Sequence, residues 1–120
     1  LMGGRTKTEM CWHELFQDIV EEIHITTDDG SLGTKGFTVD LLPDLLKTGK
    51  YDGIYVCGPH IMMEKVSAIA KEHNIPCQVS LEKHMACGIG ACLSCTCQSK
   101  DGSRKKVCSD GPVFYAEEVF

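Results

Sequence analysis

Residues 87–95 read CGIGACLSC, and a further cysteine follows at Cys108. The spacing is C-x4-C-x2-C with a distant fourth cysteine, which is typical of plant-type [2Fe–2S] sites. Such a cluster takes two thiolates on each iron, so a tight loop can supply three ligands and a separate strand the fourth. The spacing therefore predicts that Cys87, Cys92, Cys95 and Cys108 hold a [2Fe–2S] cluster.

Two glycines within this loop support the same interpretation. Gly88 and Gly90 have no side chain, so they can take a positive φ and bring the backbone close to inorganic sulfide. Amide groups of the loop can then point at the sulfur atoms and offset the negative charge of the cluster. We therefore expect a loop that wraps closely round the metal.

Three other assignments of the metal site are open. Structural zinc sites with four cysteines usually consist of two C-x2–4-C pairs, and here Cys108 stands alone. Cys97 lies two residues after Cys95, and on a strand the two side chains would share a face, so Cys97 is the nearest competing ligand. His84 could replace a cysteine as in Rieske centres, but the paired histidines of those centres are missing. The spacing favours the four-cysteine cluster over all three.

Composition and charge argue against several other classes of protein. The chain has 120 residues, enough for one ordinary domain or two very small ones. Its net charge of -5 argues against a nucleic-acid partner, and the only basic run, at 104–106, is interpreted as a solvated hairpin arm. No segment reaches the roughly 18 to 20 apolar residues of a membrane span, and the N-terminus lacks the pattern of a signal peptide. We expect a cytoplasmic protein whose clustered cysteines bind metal rather than form disulfides.

The rest of the chain has the pattern of an α/β protein. Strands are predicted at 1–4, 23–27, 54–57 and 77–81, and helices at 8–20, 37–46 and 60–73. Pro43 predicts either a break in the second of these helices or the start of another helix at that point. Short strands joined by helices predict parallel βαβ units in a three-layer sandwich. From about residue 85 glycine and cysteine dominate, and two short strands are predicted at 96–99 and 105–108, so the predicted domains are 1–83 and 84–120.

Two polar segments follow strands of this predicted α/β region. Open α/β sheets bind ligands at the carboxyl ends of their strands, and the N-terminus of the helix after Pro59 favours anionic groups. The candidate nucleotide-binding residues are Thr27, Asp28, Asp29, Gly30, Cys57, Gly58 and Pro59. A Gly-Pro pair is also typical of a plain turn, and the two aspartates could simply form an Asx-turn.

Several motifs occur in a fixed order along nearly the whole chain. They are Gly4-Arg5-Thr6, Thr27-Asp28-Asp29-Gly30-Ser31, Gly33-Thr34-Lys35-Gly36, Cys57-Gly58-Pro59, Ser80-Leu81-Glu82, the cluster motif from Met85, and the segment from Val107 to Phe114. Together they resemble the C-terminal part of the electron-transfer subunit of bacterial NAD-dependent (class 1B) dihydroorotate dehydrogenases. The cluster motif and the Asp-Gly-Pro-Val-Phe tail are specific, whereas Cys-Gly-Pro is shared with ferredoxin-reductase-like flavoproteins in general.

The resemblance implies an architecture and an activity. Family members have an FAD-binding barrel, a ferredoxin-reductase-like NAD-binding domain and a small C-terminal [2Fe–2S] domain. Their flavin exchanges a hydride with NAD(H), and the cluster passes electrons between that FAD and the FMN of a catalytic subunit that oxidises dihydroorotate in pyrimidine biosynthesis. By this resemblance the four cysteines are cluster ligands, and Cys57, Gly58 and Pro59 lie beside the nicotinamide. The chain would be an oxidoreductase component that supplies no catalytic acid, base or nucleophile and is not active alone.

Two parts of the family pattern are absent from the sequence. The flavin barrel and the first strand of the nucleotide domain, with its glycine-rich turn, would precede Leu1. We therefore expect FAD and NAD to bind to a longer parent protein rather than to this piece, which would hold a truncated NAD-binding sheet. Exposed edges of such a sheet favour pairing with another chain, so we expect a homo-oligomer or a strand-exchanged dimer.

Two other functions remain open from the sequence. The chain could belong to a reductase that supplies a different acceptor, such as an oxygenase or a ferredoxin-linked enzyme. It could instead be a zinc-stapled interaction module without redox activity, which would be colourless because zinc thiolates do not absorb visible light. Whether Ile89 and Leu93 are core anchors or a docking patch is also open.

Overall fold

The computed structural model describes all residues from 1 to 120, which form two compact units, Leu1–Lys47 and Thr48–Phe120. Each unit contains parallel strands and at least one helix, so the α/β class is confirmed. The predicted domain boundary between residues 83 and 84 stays a prediction. The end of the chain returns to the sheet of the second unit. None of the helices is long and apolar enough to cross a bilayer.

The first unit is built on a three-stranded parallel sheet. Its strands, in spatial order, are β1 (Met2–Gly4), β2 (Ile25–Thr27) and β3 (Thr34–Lys35). A side chain at Gly3 would collide with Thr38, the first residue of α1 (Thr38–Leu46), so the helix packs directly on bare strand backbone. The expected break at Pro43 is wrong, since α1 continues through it and buries Leu42.

The amphipathic helix predicted at 8–20 is also wrong. Two short 3-10 turns, Lys7–Glu9 and His13–Phe16, take its place, and Trp12 between them has a left-handed φ of 62°. Met10 is buried, but the rest of the apolar stripe is exposed, with Ile19 at 77%. Most helical stability in proteins comes from packing an apolar face, and this face is not packed, so its periodicity alone does not produce a helix.

The second unit contains a mixed three-stranded sheet and a two-stranded hairpin. Its elements in chain order are β4 (Ile54–Cys57), α2 (His60–Glu72), β5 (Cys77–Ser80), β6 (Thr96–Gln98), β7 (Arg104–Lys106), α3 (Val107–Asp110), β8 (Val113–Tyr115) and α4 (Ala116–Val119). β4 and β5 are parallel, as expected for a strand–helix–strand unit, and α2 buries Met63, Val66 and Ala70. Tyr55 is 80% exposed, so one face of β4 is open to solvent.

The C-terminal segment adds an antiparallel strand that the sequence pattern does not reveal. β8 pairs with the far side of β5, with Phe114 opposite Val79 in register. Both side chains are buried. The end of the chain is therefore part of the core of the second unit rather than a separate tail.

The hairpin of β6 and β7 confirms the two short strands predicted near the cysteines, but the fourth cysteine lies outside it. β7 ends at Lys106, and Cys108 lies in α3 instead of on a strand. The cause is Asp110, whose carboxylate accepts a hydrogen bond from the Lys106 backbone N–H at 2.7 Å and turns the chain into a helical turn.

We predict that replacement of Phe114 by alanine lowers the free energy of unfolding by about 3 kcal/mol or more, the usual cost of removing a buried phenylalanine. Phe114 is 3% exposed, whereas its neighbour Tyr115 is 52% exposed. The matched control Tyr115→Ala should cost less than about 1 kcal/mol. Urea unfolding followed by circular dichroism measures both, and equal effects would show that β8 is not part of the core.

Candidate metal centre

The loop between β5 and β6 has no regular secondary structure and is shaped by three residues with positive φ. Gly88 and Gly90 have φ of 68° and 78°, as expected from the sequence. Leu93 also takes a left-handed φ of 62°, although it is not glycine. Its carbonyl accepts hydrogen bonds from the Thr96 backbone N–H and hydroxyl, which fix this conformation. The loop is therefore held in a tight curve around its cysteines.

Two backbone hydrogen bonds arrange the predicted ligands in two pairs. The Cys92 N–H donates to the Cys87 sulfur at 3.4 Å, and the Cys108 N–H donates to the Cys95 sulfur at 3.4 Å. All four cysteines are free thiols. The structure thus brings Cys108 from the end of the hairpin to the loop, as the spacing predicts.

The same amide groups favour the thiolate form of two of these cysteines. The N–H groups of Cys92 and Ile89 lower the pKa of Cys87 to about 6. The N–H of Cys108 lowers the pKa of Cys95. The pKa of Cys108 is raised, chiefly because its thiol is hydrogen-bonded to the Cys95 sulfur. Thiolates are the metal-binding form of cysteine, so each pair contains one group already disposed to bind.

The paired arrangement fits a two-metal cluster better than a single ion. Each iron of a [2Fe–2S] cluster takes two thiolates, which matches Cys87 with Cys92 and Cys95 with Cys108. A structural zinc ion would need all four sulfurs about 2.3 Å from one point. The donor set therefore favours an iron–sulfur cluster over zinc.

The two competing ligands lie elsewhere. Cys97 is buried in β6, opposite Lys105 in the hairpin register. The side chain of His84 is exposed, and it is the backbone carbonyl of this residue that contacts the loop, by accepting a hydrogen bond from the Ser94 hydroxyl.

The candidate nucleotide residues of the first unit form a compact turn. The buried Thr27 hydroxyl donates to the Leu32 carbonyl at 2.8 Å. The Asp29 carboxylate accepts hydrogen bonds from the Ser31 hydroxyl and N–H, which lower the pKa of Asp29. This is the Asx-turn that the sequence left open, formed by Asp29 alone, and the Gly30 N–H donates to the Thr27 carbonyl at 3.1 Å, which closes a turn over Asp28 and Asp29. A nucleotide-binding role for this turn stays a prediction.

The candidate nucleotide residues of the second unit lie at the carboxyl end of β4. Cys57 is exposed and ends the strand, and Gly58 separates it from α2. Pro59 is the N-cap of α2 rather than a residue of its first turn, and its carbonyl accepts the Met63 N–H at 3.0 Å. The placement after a parallel strand agrees with the sequence argument, and nucleotide binding here also stays a prediction.

The sequence left the role of Ile89 and Leu93 undecided, and it did not indicate which residues pack against Gly90. Ile89 and Leu93 are 79% and 63% exposed, so they are not core anchors. Lys106 and Ser109 pack against Gly90 in the cluster loop. The only sequence signal for the latter contact is that Lys106 and Ser109 flank the fourth cysteine.

Comparison with known proteins agrees with this geometry. Residues 82–120 match the iron–sulfur cluster binding domain of dihydroorotate dehydrogenase B. Over 119 residues the chain is 48% identical to a probable dihydroorotate dehydrogenase B (NAD(+)), electron transfer subunit, from Methanocaldococcus jannaschii. Over 100 residues it is 47% identical to the corresponding subunit from Clostridium acetobutylicum. The chain is homologous to these electron-transfer subunits. The resemblance drawn from the motifs is confirmed.

The chain is shorter than the relatives it matches. The first alignment covers 99% of this chain and 45% of the Methanocaldococcus protein, and the second covers 83% and 39%. A solved structure of an NADH-dependent reduced ferredoxin-NADP oxidoreductase, described in terms of flavin-based electron bifurcation, has a TM-score of 0.81 and 36% identity, and the match covers 98% of this chain and 42% of that chain. The ferredoxin-reductase-like fold is therefore confirmed, and the chain spans less than half the length of these proteins.

We predict that Cys108→Ser abolishes cluster binding whereas Cys97→Ser does not. Both residues are in or next to the same hairpin, but only Cys108 is paired with a loop thiol. The wild-type chain, purified without oxygen, should contain about two irons and two sulfides and absorb between roughly 400 and 550 nm.

Iron and sulfide assays on the three proteins decide the ligand set. Loss of iron in Cys97→Ser with retention in Cys108→Ser would exchange the roles of the two residues. A colourless wild-type protein with about one zinc would contradict the cluster itself.

Proposed function

We propose that this chain carries single electrons through a [2Fe–2S] cluster held by Cys87, Cys92, Cys95 and Cys108. In the longer protein the electrons pass between FAD, which exchanges hydride with NAD(H), and the FMN of a dihydroorotate dehydrogenase catalytic subunit, in pyrimidine biosynthesis. When bound, such a cluster supplies a site that accepts and releases one electron at a time. The observation that carries the proposal is the pairing of Cys87 with Cys92 inside the glycine loop and of Cys95 with Cys108 between the loop and α3.

The residues of the chain have structural and electrostatic tasks in this function. The loop amides that lower the pKa values of Cys87 and Cys95 favour the thiolate ligands and reduce their negative charge. Neither task needs a general acid, a general base or a nucleophile. The chain is therefore expected to hold and orient an electron carrier and to lack dihydroorotate dehydrogenase activity alone.

The exposed face of the cluster loop is suited to contact with a partner. Cys92 is exposed, and so are the apolar side chains of Met85, Ile89 and Leu93 on the same loop. Apolar side chains on an irregular loop beside a redox site add binding energy when a partner covers them. We assign this face to the catalytic subunit, so that the cluster lies near the acceptor.

A second candidate function has support from one observation. The similar solved structure is an NADH-dependent reduced ferredoxin-NADP oxidoreductase. If this chain belongs to a similar oxidoreductase, the partner that exchanges electrons at the cluster loop is a ferredoxin-linked enzyme rather than an FMN-containing dehydrogenase. The relatives named as dihydroorotate dehydrogenase subunits have higher identity, 48% against 36%, which favours the first candidate.

We predict that Ile89→Ser weakens binding to a purified dihydroorotate dehydrogenase catalytic subunit by about tenfold, because it removes most of one buried isoleucine side chain from the interface. Ile61→Ser is the matched control, since Ile61 is also largely exposed, at 68% against 79% for Ile89, but lies on α2. Calorimetry with the cluster-loaded protein measures both.

The outcome of that titration separates the two candidates. Binding of the catalytic subunit that Ile89→Ser weakens and Ile61→Ser does not supports the first. No binding of that subunit, together with saturable binding of a ferredoxin, would replace the first candidate by the second. Equal losses in the two variants would contradict docking over the cluster loop.

We also propose that the chain self-associates through sheet edges. β1 and β4 each lie at an edge of their own sheet, and edge strands present unpaired backbone groups to other chains. Tyr55→Lys places a charge on the exposed face of β4 and should shift the protein towards monomer. Light scattering measures the mass of both proteins, and a monomeric wild type would contradict the proposal.

A further inference from the structure

The backbone of Gly90 has a cysteine on one side and a lysine on the other. Its N–H is directed at the Cys108 sulfur, where it acts to lower the pKa of that thiol. A side-chain carbon at Gly90 would come 3.3 Å from the Lys106 Nζ and 3.0 Å from the Ser109 hydroxyl oxygen. The ammonium group of Lys106 therefore lies directly against the loop between the first and second cluster ligands.

Lys106 is held in this position by its surroundings. It is the last residue of β7 and pairs with Thr96 of β6. Its backbone N–H donates to the Asp110 carboxylate at 2.7 Å, and its side chain is half-buried. The strand pairing and this hydrogen bond hold the backbone of Lys106, and its half-buried side chain places the ammonium beside Gly90.

The other cations of the same strand are placed differently. Arg104 lies two residues earlier on the same face of the hairpin and is exposed. Lys105 points to the opposite face, where its ammonium pairs with Glu118 at 2.9 Å and lies 5.6 Å from the centre of the Phe114 ring. Of the three, Lys106 is the one whose charged nitrogen lies against Gly90 of the cluster loop.

A fixed cation at this place has an electrostatic consequence. Four thiolates and two sulfides give a two-iron cluster a net negative charge, and reduction adds one more electron. A nearby positive charge stabilises the reduced form more than the oxidised form, and charge near a cluster is one determinant of its potential. The Asp110 carboxylate also lies near Lys106, and its negative charge opposes the effect of the ammonium on the potential of the cluster.

We propose that the Lys106 ammonium, held against Gly90, raises the reduction potential of the cluster bound by Cys87, Cys92, Cys95 and Cys108. The inference rests on the proposed function, because it concerns the same site. One electron passes from the reductant to the cluster. No bond to Lys106 forms or breaks, and its ammonium keeps its proton.

The test is a redox titration of the cluster-loaded chain with dithionite and mediator dyes, followed by visible absorbance. At a fixed electrode potential, Lys106→Gln should lower the ratio of reduced to oxidised cluster by about threefold to tenfold, allowing for solvent screening of a half-buried charge. Lys106→Arg keeps the charge and should remain within about twofold of wild type. Arg104→Gln, which removes the same charge from the same face, should also change the ratio by less than about twofold.

Each outcome supports or overturns the proposal. A shift in Lys106→Gln that Lys106→Arg restores, with iron and sulfide contents equal to wild type, supports it. Equal shifts in Lys106→Gln and Arg104→Gln would show an effect of net charge alone and overturn it, as would no shift in either. Loss of the cluster in Lys106→Gln would assign the residue to holding the loop, which also overturns it.

The failure of the proposed function gives a different result. A wild-type chain that takes up no iron and sulfide has no cluster to titrate, and the electron-transfer role itself then fails. A wild-type chain that holds its cluster and a Lys106→Gln variant with an unchanged potential would leave electron transfer intact and refute only the role of Lys106.

Discussion

Hydrogen bonds from backbone N–H groups to cysteine sulfur are the interactions on which the candidate metal centre depends. One joins Cys92 to Cys87 within the loop, and the other joins Cys108 to Cys95 across thirteen residues of sequence. The first requires the loop to curve, which the left-handed glycines permit. The second requires the hairpin to bring its end back to its beginning. Because the amides also favour thiolates, the same geometry that shapes the loop prepares its ligands for metal.

The hairpin and the C-terminal segment give this loop a rigid support. The Val107 N–H donates to the Cys95 carbonyl at 3.2 Å, so α3 holds the peptide of the third predicted ligand as well as its sulfur. The hairpin is tied in turn to α4, through the Lys100 N–H to the Glu118 carbonyl at 2.8 Å and through the ion pair of Lys105 with Glu118. Sites supported by packed elements keep their geometry better than sites on free loops. The tail that adds β8 to the sheet is therefore also a support of the metal centre.

The sequence by itself determined the features that depend on neighbours along the chain. The cysteine spacing and the positive φ of Gly88 and Gly90 follow from local chain geometry, and the structure agrees with both. The strand at 54–57 and the helix from His60 to Glu72 also agree, because the helix has an apolar face that is packed and a proline at its start. Motifs in a fixed order were sufficient to identify the homologous subunits.

Tertiary structure decided the features that depend on residues far apart in sequence. The segment at 8–20 has the periodicity of a helix but no packed face, so it forms two short turns. β8 exists because β5 offers an edge to pair with, and three residues give no pattern that reveals such pairing. Cys108 lies in a helical turn because the Asp110 carboxylate reaches the Lys106 N–H. The contact of Lys106 with Gly90 joins residues that only the hairpin brings together, and for that reason no spacing in the sequence indicates it.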